Sequence, residues 1–240
     1  MEILVVLPTY NEAPNLPSMA EALYGLGLDL GLLVVDDASP DGTGEMAEEL
    51  KHRYPSLMVL HRAGKQGLGS AYREGFKFGL EQTKAPYLAQ MDADFSHDPK
   101  RLPALLEAAR SGVVAIGSRY VPGGGTVNWG LKRRLLSRGG SLYARTVLGV
   151  PLHDLTGGFK CWPRQALESI NLSTARSEGY AFQAEMSFRA HRAGFSFKEV
   201  PIIFEDRRLG QSKMSLGIVL EALWVVWWLR FGSIFSRPKP

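Results

Sequence analysis

The sequence predicts an α/β fold with a mostly parallel sheet flanked by helices, and three observations carry that expectation. Short apolar runs alternate with segments of helical spacing through the first half of the 240 residues. Polar and charged motifs begin where the apolar runs stop, the position at which parallel sheets gather their ligands. No internal repeat or low-complexity linker interrupts the chain, so one domain over residues 1–211 with a C-terminal extension over 212–240 is expected.

The elements follow in order. Ile3 to Leu7 is a β-branched run that stops at Pro8; a signal peptide would want a basic start and a longer apolar core, so a strand is expected. Leu16 to Leu26 has helical spacing, Leu32 to Val35 is strand-like, and Gly44 to Tyr54 is a helix with "EMAEELKHR" on its wet side. Leu57 to Leu60 is a strand, Ser70 to Leu80 a helix and Tyr87 to Met91 a strand. Pro99 opens a helix, where its missing N–H costs nothing, and Val113 to Ile116 is the next strand. Further on, Gly123 to Gly125 marks a loop and "LKRRLLSRGGSLYARTVLG" a strongly basic helix. "DLTGGFKCW" reads as a strand entered from a glycine turn, "EGYAFQAEMSFRAHRAG" as a helix, and "FSFKEVPIIFEDRRLGQSK" as a strand running into a basic loop.

Composition narrows the class. With 45% hydrophobic and 22% charged residues the chain is globular, and a net charge of +4 suits anionic substrates or a membrane surface while giving no case for nucleic acid. The one cysteine, Cys161, forms no intrachain disulfide and reads as a buried inert thiol.

The strand ends carry the chemistry. They are followed by "PTYNE", "DDASPDG", "DADFSHD" and "GSRY", an acidic rim with one arginine. Asp92 and Asp94, at i and i+2, project to one side if the strand continues through them. Like charges that close are costly without a cation between them, so the pair points to a divalent metal facing phosphate, against the plainer reading of a solvated turn. No G-x-G-x-x-G follows a strand, and "GKQGLG" lacks the Lys–Ser/Thr of a P-loop, which argues against a dinucleotide or P-loop site.

The segments "VVLPTYNE", "VVDDASPDGT", "GLGSAYREGF", "MDADFSH", "IGSRY", "LKRRLLSRG", "DLTGGFK", "GYAFQAEM" and "DRRLGQSK" occur in an order that resembles the polyprenyl-phosphate mannose synthases. These are also called dolichol-phosphate mannosyltransferases, and they are inverting family 2 glycosyltransferases of the GT-A fold, a Rossmann-like sheet. The resemblance spans roughly Glu2 to Ser215. It implies an enzyme that moves mannose from GDP-mannose to a polyprenyl monophosphate, with Mg²⁺ or Mn²⁺ on Asp92 and Asp94. It also implies that Pro8, Tyr10, Glu12 and Asp37 contact the nucleoside, while Asp36 is either a second contact or a turn cap. Arg119, Arg133, Ser137, Arg207 and Lys213 would hold the acceptor phosphate, with Arg134 and Arg138 on a wet face of their helix. Gln183 and Glu185 would hold sugar hydroxyls or form a structural helix face, and Asp154 and Gly157 would build the turn below the sugar. Where relatives place a third metal ligand this sequence has Ser96, leaving water to substitute. His97 and Asp98 read as structural or solvated, and Arg62 and Lys65 as neighbours of the base or its phosphates. A UDP-sugar-dependent polyprenyl-phosphate transferase and a non-catalytic nucleotide-sugar or lipid-binding subunit are the rival readings.

Ser215 to Phe235 is apolar but holds Glu221 and Arg230, which breaks a spanning helix of roughly 18 or more uncharged residues. At 100° per residue Leu220, Trp224, Trp227, Trp228, Phe231 and Phe235 share one face. An interfacial helix is expected, with a packing or oligomer helix as the alternative, placing the protein peripherally on the cytoplasmic side of a membrane. A small membrane partner or a second copy stays open.

Overall fold

The computed structural model describes residues 1–205 and 224–232, with Tyr180 described by its backbone alone. Strands β1 (Ile3–Thr9), β2 (Leu30–Asp36), β3 (Leu57–His61), β4 (Tyr87–Gln90) and β5 (Val114–Ser118) alternate with helices α1 (Leu16–Tyr24), α2 (Thr43–Leu50), α3 (Leu68–Gln82) and α4 (Leu102–Ala109). Then come β6 (Gly125–Val127), α5 (Leu131–Leu148), β7 (Lys160–Pro163), α6 (Arg164–Ser169), α7 (Gly179–Arg192), β8 (Phe197–Pro201) and β9 (Ile203–Glu205). A further helix, α8, spans 224–232.

Seven strands form one sheet in the order β3-β2-β1-β4-β7-β5-β8. All neighbours are parallel except β7, which runs antiparallel to both β4 and β5. Alternation divides β1 cleanly: Leu4 and Val6 join the core under α3, α5, α6 and α7, while Ile3, Val5 and Leu7 join the core under α1, α2 and α4. Helix α3 lies close on β1 because Gly75 and Gly79 have no side chain; a Cβ there would come within 2.5 Å of Val6 and 2.6 Å of Leu4.

The chain order reverses between β1 and β4, the switch point where such sheets open a crevice beyond the strand carboxyl ends. The β1–β4 ladder ends at Val6↔Gln90, whereas β1–β2 continues to Thr9↔Asp36. Pro8 therefore falls past the last pair with β4, at the mouth of that crevice.

The glycine run was expected to be loop throughout, but Gly125 begins β6, which pairs in parallel with β9 as a two-stranded sheet. Its Gly125 N–H donates to the Ile202 carbonyl at 3.0 Å, backbone pairing that no side-chain pattern announces. Among the described residues the remaining predicted elements are present with small shifts at their ends; the basic loop after 205 and the two ends of the expected 215–235 helix lie outside them. Among the described residues no helix is long and apolar enough to cross a membrane.

Candidate active site

The crevice rim is built on strained backbone. Among the described residues, four non-glycines have positive φ: Asn11 (61°), Ala38 (54°), Phe95 (61°) and Asn128 (62°). The first three sit just past β1, β2 and β4. Left-handed backbone is costly outside glycine and persists where the surroundings over-determine it, commonly at functional sites.

The surroundings at the first two ends are hydrogen-bond networks. Asp36 accepts from Thr9 Oγ1 at 3.1 Å, from the Ser39 amide at 3.1 Å and from Ser39 Oγ at 2.6 Å, the turn-capping alternative of the sequence reading. Asp37 pairs with the buried Arg62, which also donates to Glu74 (3.0 Å), Ser70 (2.5 Å) and Gln66 (3.4 Å). Burial pushes the Asp37 carboxyl up, opposed by the arginine beside it. Arg62 thus serves Asp37 and α3, and is a scaffold for this end of the crevice. Lys65 lies 3.6 Å over the half-exposed ring of Tyr10, and Glu12 accepts from Asn15 Nδ2 at 2.7 Å. Pro8, Tyr10, Glu12 and Asp37 thus all lie on or just past β1 and β2.

Past β4 the two carboxylates are held by different partners. Tyr72 Oη donates to Asp92 Oδ1 at 3.3 Å, and the Ser96 amide donates to Asp94 Oδ1 at 3.0 Å. Tyr72 is fully buried, and burial together with Asp92 holds its phenol well above the ordinary value, so it stays a donor. The sequence reading passed over Tyr72, although its motif "GLGSAYREGF" was in view. Its helix start is fixed from far along the chain: Glu178 accepts from the Gly69 amide at 2.7 Å and from Arg73 at 2.9 Å. His97 is buried against Phe159 (ring centroids 5.2 Å), and its Nδ1 accepts from the Asp92 amide at 3.1 Å. Burial holds this imidazole below its ordinary pKa, so the ring is neutral, with its hydrogen on Nε2. Asp98, the other neighbour, accepts from the Lys100 amide and starts the turn that leads into α4.

The residues fit a hard divalent cation. The donors in this loop are oxygens, and Ser96 Oγ is buried with no hydrogen-bond partner among the described residues, in the same turn as both carboxylates. Among the described residues no group of three or more His, Cys, Asp or Glu side chains that could hold a metal forms.

The predicted acceptor residues converge around two aromatic rings. Arg133 lies 4.1 Å over Trp129, and Arg119 lies 5.4 Å from the same ring and 5.2 Å from Tyr120. Tyr120 Oη in turn donates to Ser137 Oγ at 2.6 Å. Arg133 and Ser137 are half-buried and Arg134 and Arg138 exposed, the division expected from helical spacing. Arg119 is also gripped by the fully buried Asp154, through Nε at 2.6 Å and Nη2 at 2.7 Å. The two clusters touch: Phe204 packs on His97 (5.5 Å) and on Trp129 (5.4 Å). Arg207 and Lys213 lie outside the described residues.

On α7 the two candidates separate. Glu185 is fully buried and accepts from the Ser177 amide (2.9 Å) and Arg189 (2.7 Å), a structural role. Gln183 accepts from Gln90 Nε2 at 2.7 Å, and its backbone carbonyl accepts from Lys160 Nζ at 2.8 Å. Cys161 is buried and its thiol is pushed far up by burial, which makes it inert.

Comparison with known proteins gives the family. Residues 4–170 match the model for Glycosyl transferase family 2. The chain is 49% identical over 223 residues to an undecaprenyl-phosphate mannosyltransferase of Micrococcus luteus, covering 93% of this chain and 91% of that one. It is 47% identical over 231 residues to a polyprenol monophosphomannose synthase of Mycolicibacterium smegmatis, covering 95% and 87%. In fold it is similar to mannosyl-3-phosphoglycerate synthase from Rubrobacter xylanophilus (TM-score 0.72, 19% identity, 100% and 76% covered). It is also similar to glucosyl-3-phosphoglycerate synthase from Mycobacterium tuberculosis, solved with Mn²⁺ and UDP (TM-score 0.69, 21% identity, 96% and 80% covered). Because the likeness runs along nearly the whole chain, this enzyme of GT-A fold belongs to glycosyl transferase family 2 and, within it, to the polyprenyl-phosphate mannose synthases.

Proposed function

We propose that the enzyme transfers mannose from GDP-mannose to the phosphate of a polyprenyl monophosphate with inversion, giving polyprenyl phosphate β-mannose and GDP. The observation that carries this is the contact of an acidic, oxygen-lined loop with a cluster of arginines resting on aromatic rings, bridged by His97 and Phe204. The names of the relatives from Micrococcus luteus and Mycolicibacterium smegmatis support the acceptor and the sugar.

Asp92 and Asp94 would hold Mg²⁺ or Mn²⁺, the ions present in solved fold relatives. Such a cation supplies neutralisation of charge on the leaving diphosphate. Pro8, Tyr10, Glu12 and Asp37 receive the nucleoside, and Gln183 the sugar. Arg119, Arg133 and Ser137 hold the acceptor phosphate, with Arg207 and Lys213 as further members of that set. A phosphate monoester is already anionic near neutral pH, so no general base is required and positioning carries the rate. One of its oxygens forms the new bond to the anomeric carbon. The bond from that carbon to the diphosphate oxygen breaks, and its electron pair leaves with the diphosphate. Attack opposite the leaving group turns an α-linked donor into a β-linked product.

A lipid acceptor calls for a membrane surface, and two helices suit one. Leu131, Leu135 and Leu142 of α5 share a face and are 72%, 64% and 62% exposed, with Lys132, Arg134 and Arg138 exposed beside them. Helix α8 buries Val226 and Leu229 in the core and turns Trp224, Trp227, Trp228 and Phe231 outward. These are the described members of the face read from the sequence; Leu220 and Phe235 lie outside the described residues.

The test is transfer of label into organic solvent from purified protein, polyprenyl phosphate, Mg²⁺ or Mn²⁺, and labelled GDP-mannose or UDP-glucose in separate reactions. Label from GDP-mannose that disappears with EDTA, on a product with a β-anomeric NMR signal, is the expected result. Label from UDP-glucose alone would replace the sugar and keep the mechanism.

A further inference from the structure

Three buried side chains form a relay with a fixed direction. The Trp162 indole N–H, which can only donate, is bonded to Gln90 Oε1 at 2.9 Å. That orients the Gln90 amide, so its NH₂ donates to Gln183 Oε1 at 2.7 Å. With its oxygen engaged, Gln183 is left to present Nε2, a donor and nothing else. Lys160 Nζ, bonded to the Gln183 carbonyl and to Ser187 Oγ at 3.0 Å, keeps that turn of α7 in place.

Gln183 Nε2 faces a second donor across a gap. A Cβ placed on Gly158 would lie 3.7 Å from Gln183 Nε2, 3.3 Å from His97 Cε1 and 3.8 Å from His97 Nε2. Because His97 Nδ1 accepts from the Asp92 amide, the hydrogen of that ring is on Nε2. Neither Nε2 has a protein acceptor among the described residues. Gly158 itself keeps partial exposure although Phe159 and Lys160 beyond it are fully buried, so the gap opens outward.

We propose that the space over Gly158, between His97 Nε2–H and Gln183 Nε2–H, is a subsite for a hydrogen-bond-accepting oxygen of the bound nucleotide sugar, with its donor-only polarity imposed by Trp162 through Gln90. The oxygen belongs either to the transferred sugar or to the leaving diphosphate. Gly158 is required because any side chain would occupy the oxygen's place. Trp162 and Gln90 are positioning residues: both are fully buried, and their side-chain hydrogen bonds run only to each other and on to Gln183.

This inference rests on the nucleotide-sugar reading above, and calorimetric titration separates the two. The wild type is titrated with GDP and with GDP-mannose in the presence of Mg²⁺; a protein that binds neither overturns the donor reading and the subsite with it. If the wild type binds, Gly158→Ala is expected to weaken donor binding about tenfold, the loss of one or two hydrogen bonds to a charged or polar oxygen. Equal weakening for GDP and GDP-mannose assigns the oxygen to the diphosphate, and weakening for GDP-mannose alone assigns it to the sugar. Unchanged affinities with unchanged turnover overturn the subsite. For the relay, Trp162→Phe is made alone and on Gln183→Ala. Its effect on GDP-mannose affinity is expected to vanish once Gln183 is gone. An equal effect in both backgrounds overturns the relay.

Discussion

The two halves of the site are held in opposite ways. At the end proposed for nucleoside and metal, nearly every polar group is tied by directional hydrogen bonds: Asp36 to Thr9 and Ser39, Asp37 to Arg62, Asp92 to Tyr72, Asp94 to the Ser96 amide. At the end proposed for the acceptor, Arg133 and Arg138 have aromatic rings beneath them, Trp129 and Tyr120, contacts that by themselves tolerate sliding. Arg119 alone belongs to both styles, stacked near the rings and clamped by Asp154. The difference matches the proposed ligands. A nucleotide diphosphate has fixed geometry and is served by preorganised donors, whereas a phosphate on a long lipid arrives from a fluid surface and is served by cations with some freedom.

The largest effect that can break this contrast is on the metal loop. Asp94→Asn is expected to reduce turnover at least about 100-fold, as several kcal/mol of charge stabilisation are lost. Its thermal midpoint should move by only a few degrees, and wild-type turnover by the lipid-extraction assay would remove the metal reading. Next comes Arg119→Ala, which strands a fully buried Asp154 and is expected to cost about 3–5 kcal/mol in urea unfolding. Arg133→Ala removes a half-buried cation in place of a buried one, so it should cost less stability than Arg119→Ala while raising the acceptor KM about tenfold. Equal destabilisation by the two arginine variants would erase the distinction between clamp and sliding cation.

A pH effect sharpens the comparison from the buried side. Burial lowers Lys160 from 10.5 to about 7 in the folded state. Between those values the unfolded chain binds a proton that the folded one does not, so stability rises as pH increases from about 7 toward 10.5. Lys160→Met should flatten that rise in urea unfolding followed against pH; an unchanged slope would assign it to other groups. The smallest effect is expected at the face proposed to meet the membrane. Leu131→Asp with Leu135→Asp should lower flotation with anionic liposomes several-fold and leave transfer to a short-chain soluble acceptor intact. Undiminished flotation would leave α8 as the contact.

Much of this site is written in local sequence, and the remainder is written in distance. The strand-end motifs are local, so the Asp92/Asp94 pair could be read from spacing; the resemblance pointed to Arg133 and Ser137, and helical spacing put those two on one face. The capping role of Asp36 was legible for the same reason, since its partner Ser39 is three residues on. What stayed hidden joins residues far apart: Glu178 to Gly69, Arg119 to Asp154, Trp162 to Gln90 and Gln90 to Gln183. Arg62 reads as a ligand contact in a loop, but burial gives it to Asp37 and Glu74. Strand β6 was missed because a glycine run has no side chains with which to alternate.

The antiparallel β7 has a consequence for how the chain comes into being. Strands β4 and β5, made early, never pair with each other; both wait for Lys160–Pro163, which is inserted between them. During synthesis, β4 therefore emerges with one edge open and keeps it open until some seventy residues later, as the register Gln90↔Lys160 requires. An unpaired apolar strand edge invites pairing with other chains. A ribosome stalled between β5 and β7 would present the open edge of β4 and both edges of β5, because β8 too is still to be made; truncated products should therefore be found with chaperones or in aggregates, and the whole chain in neither.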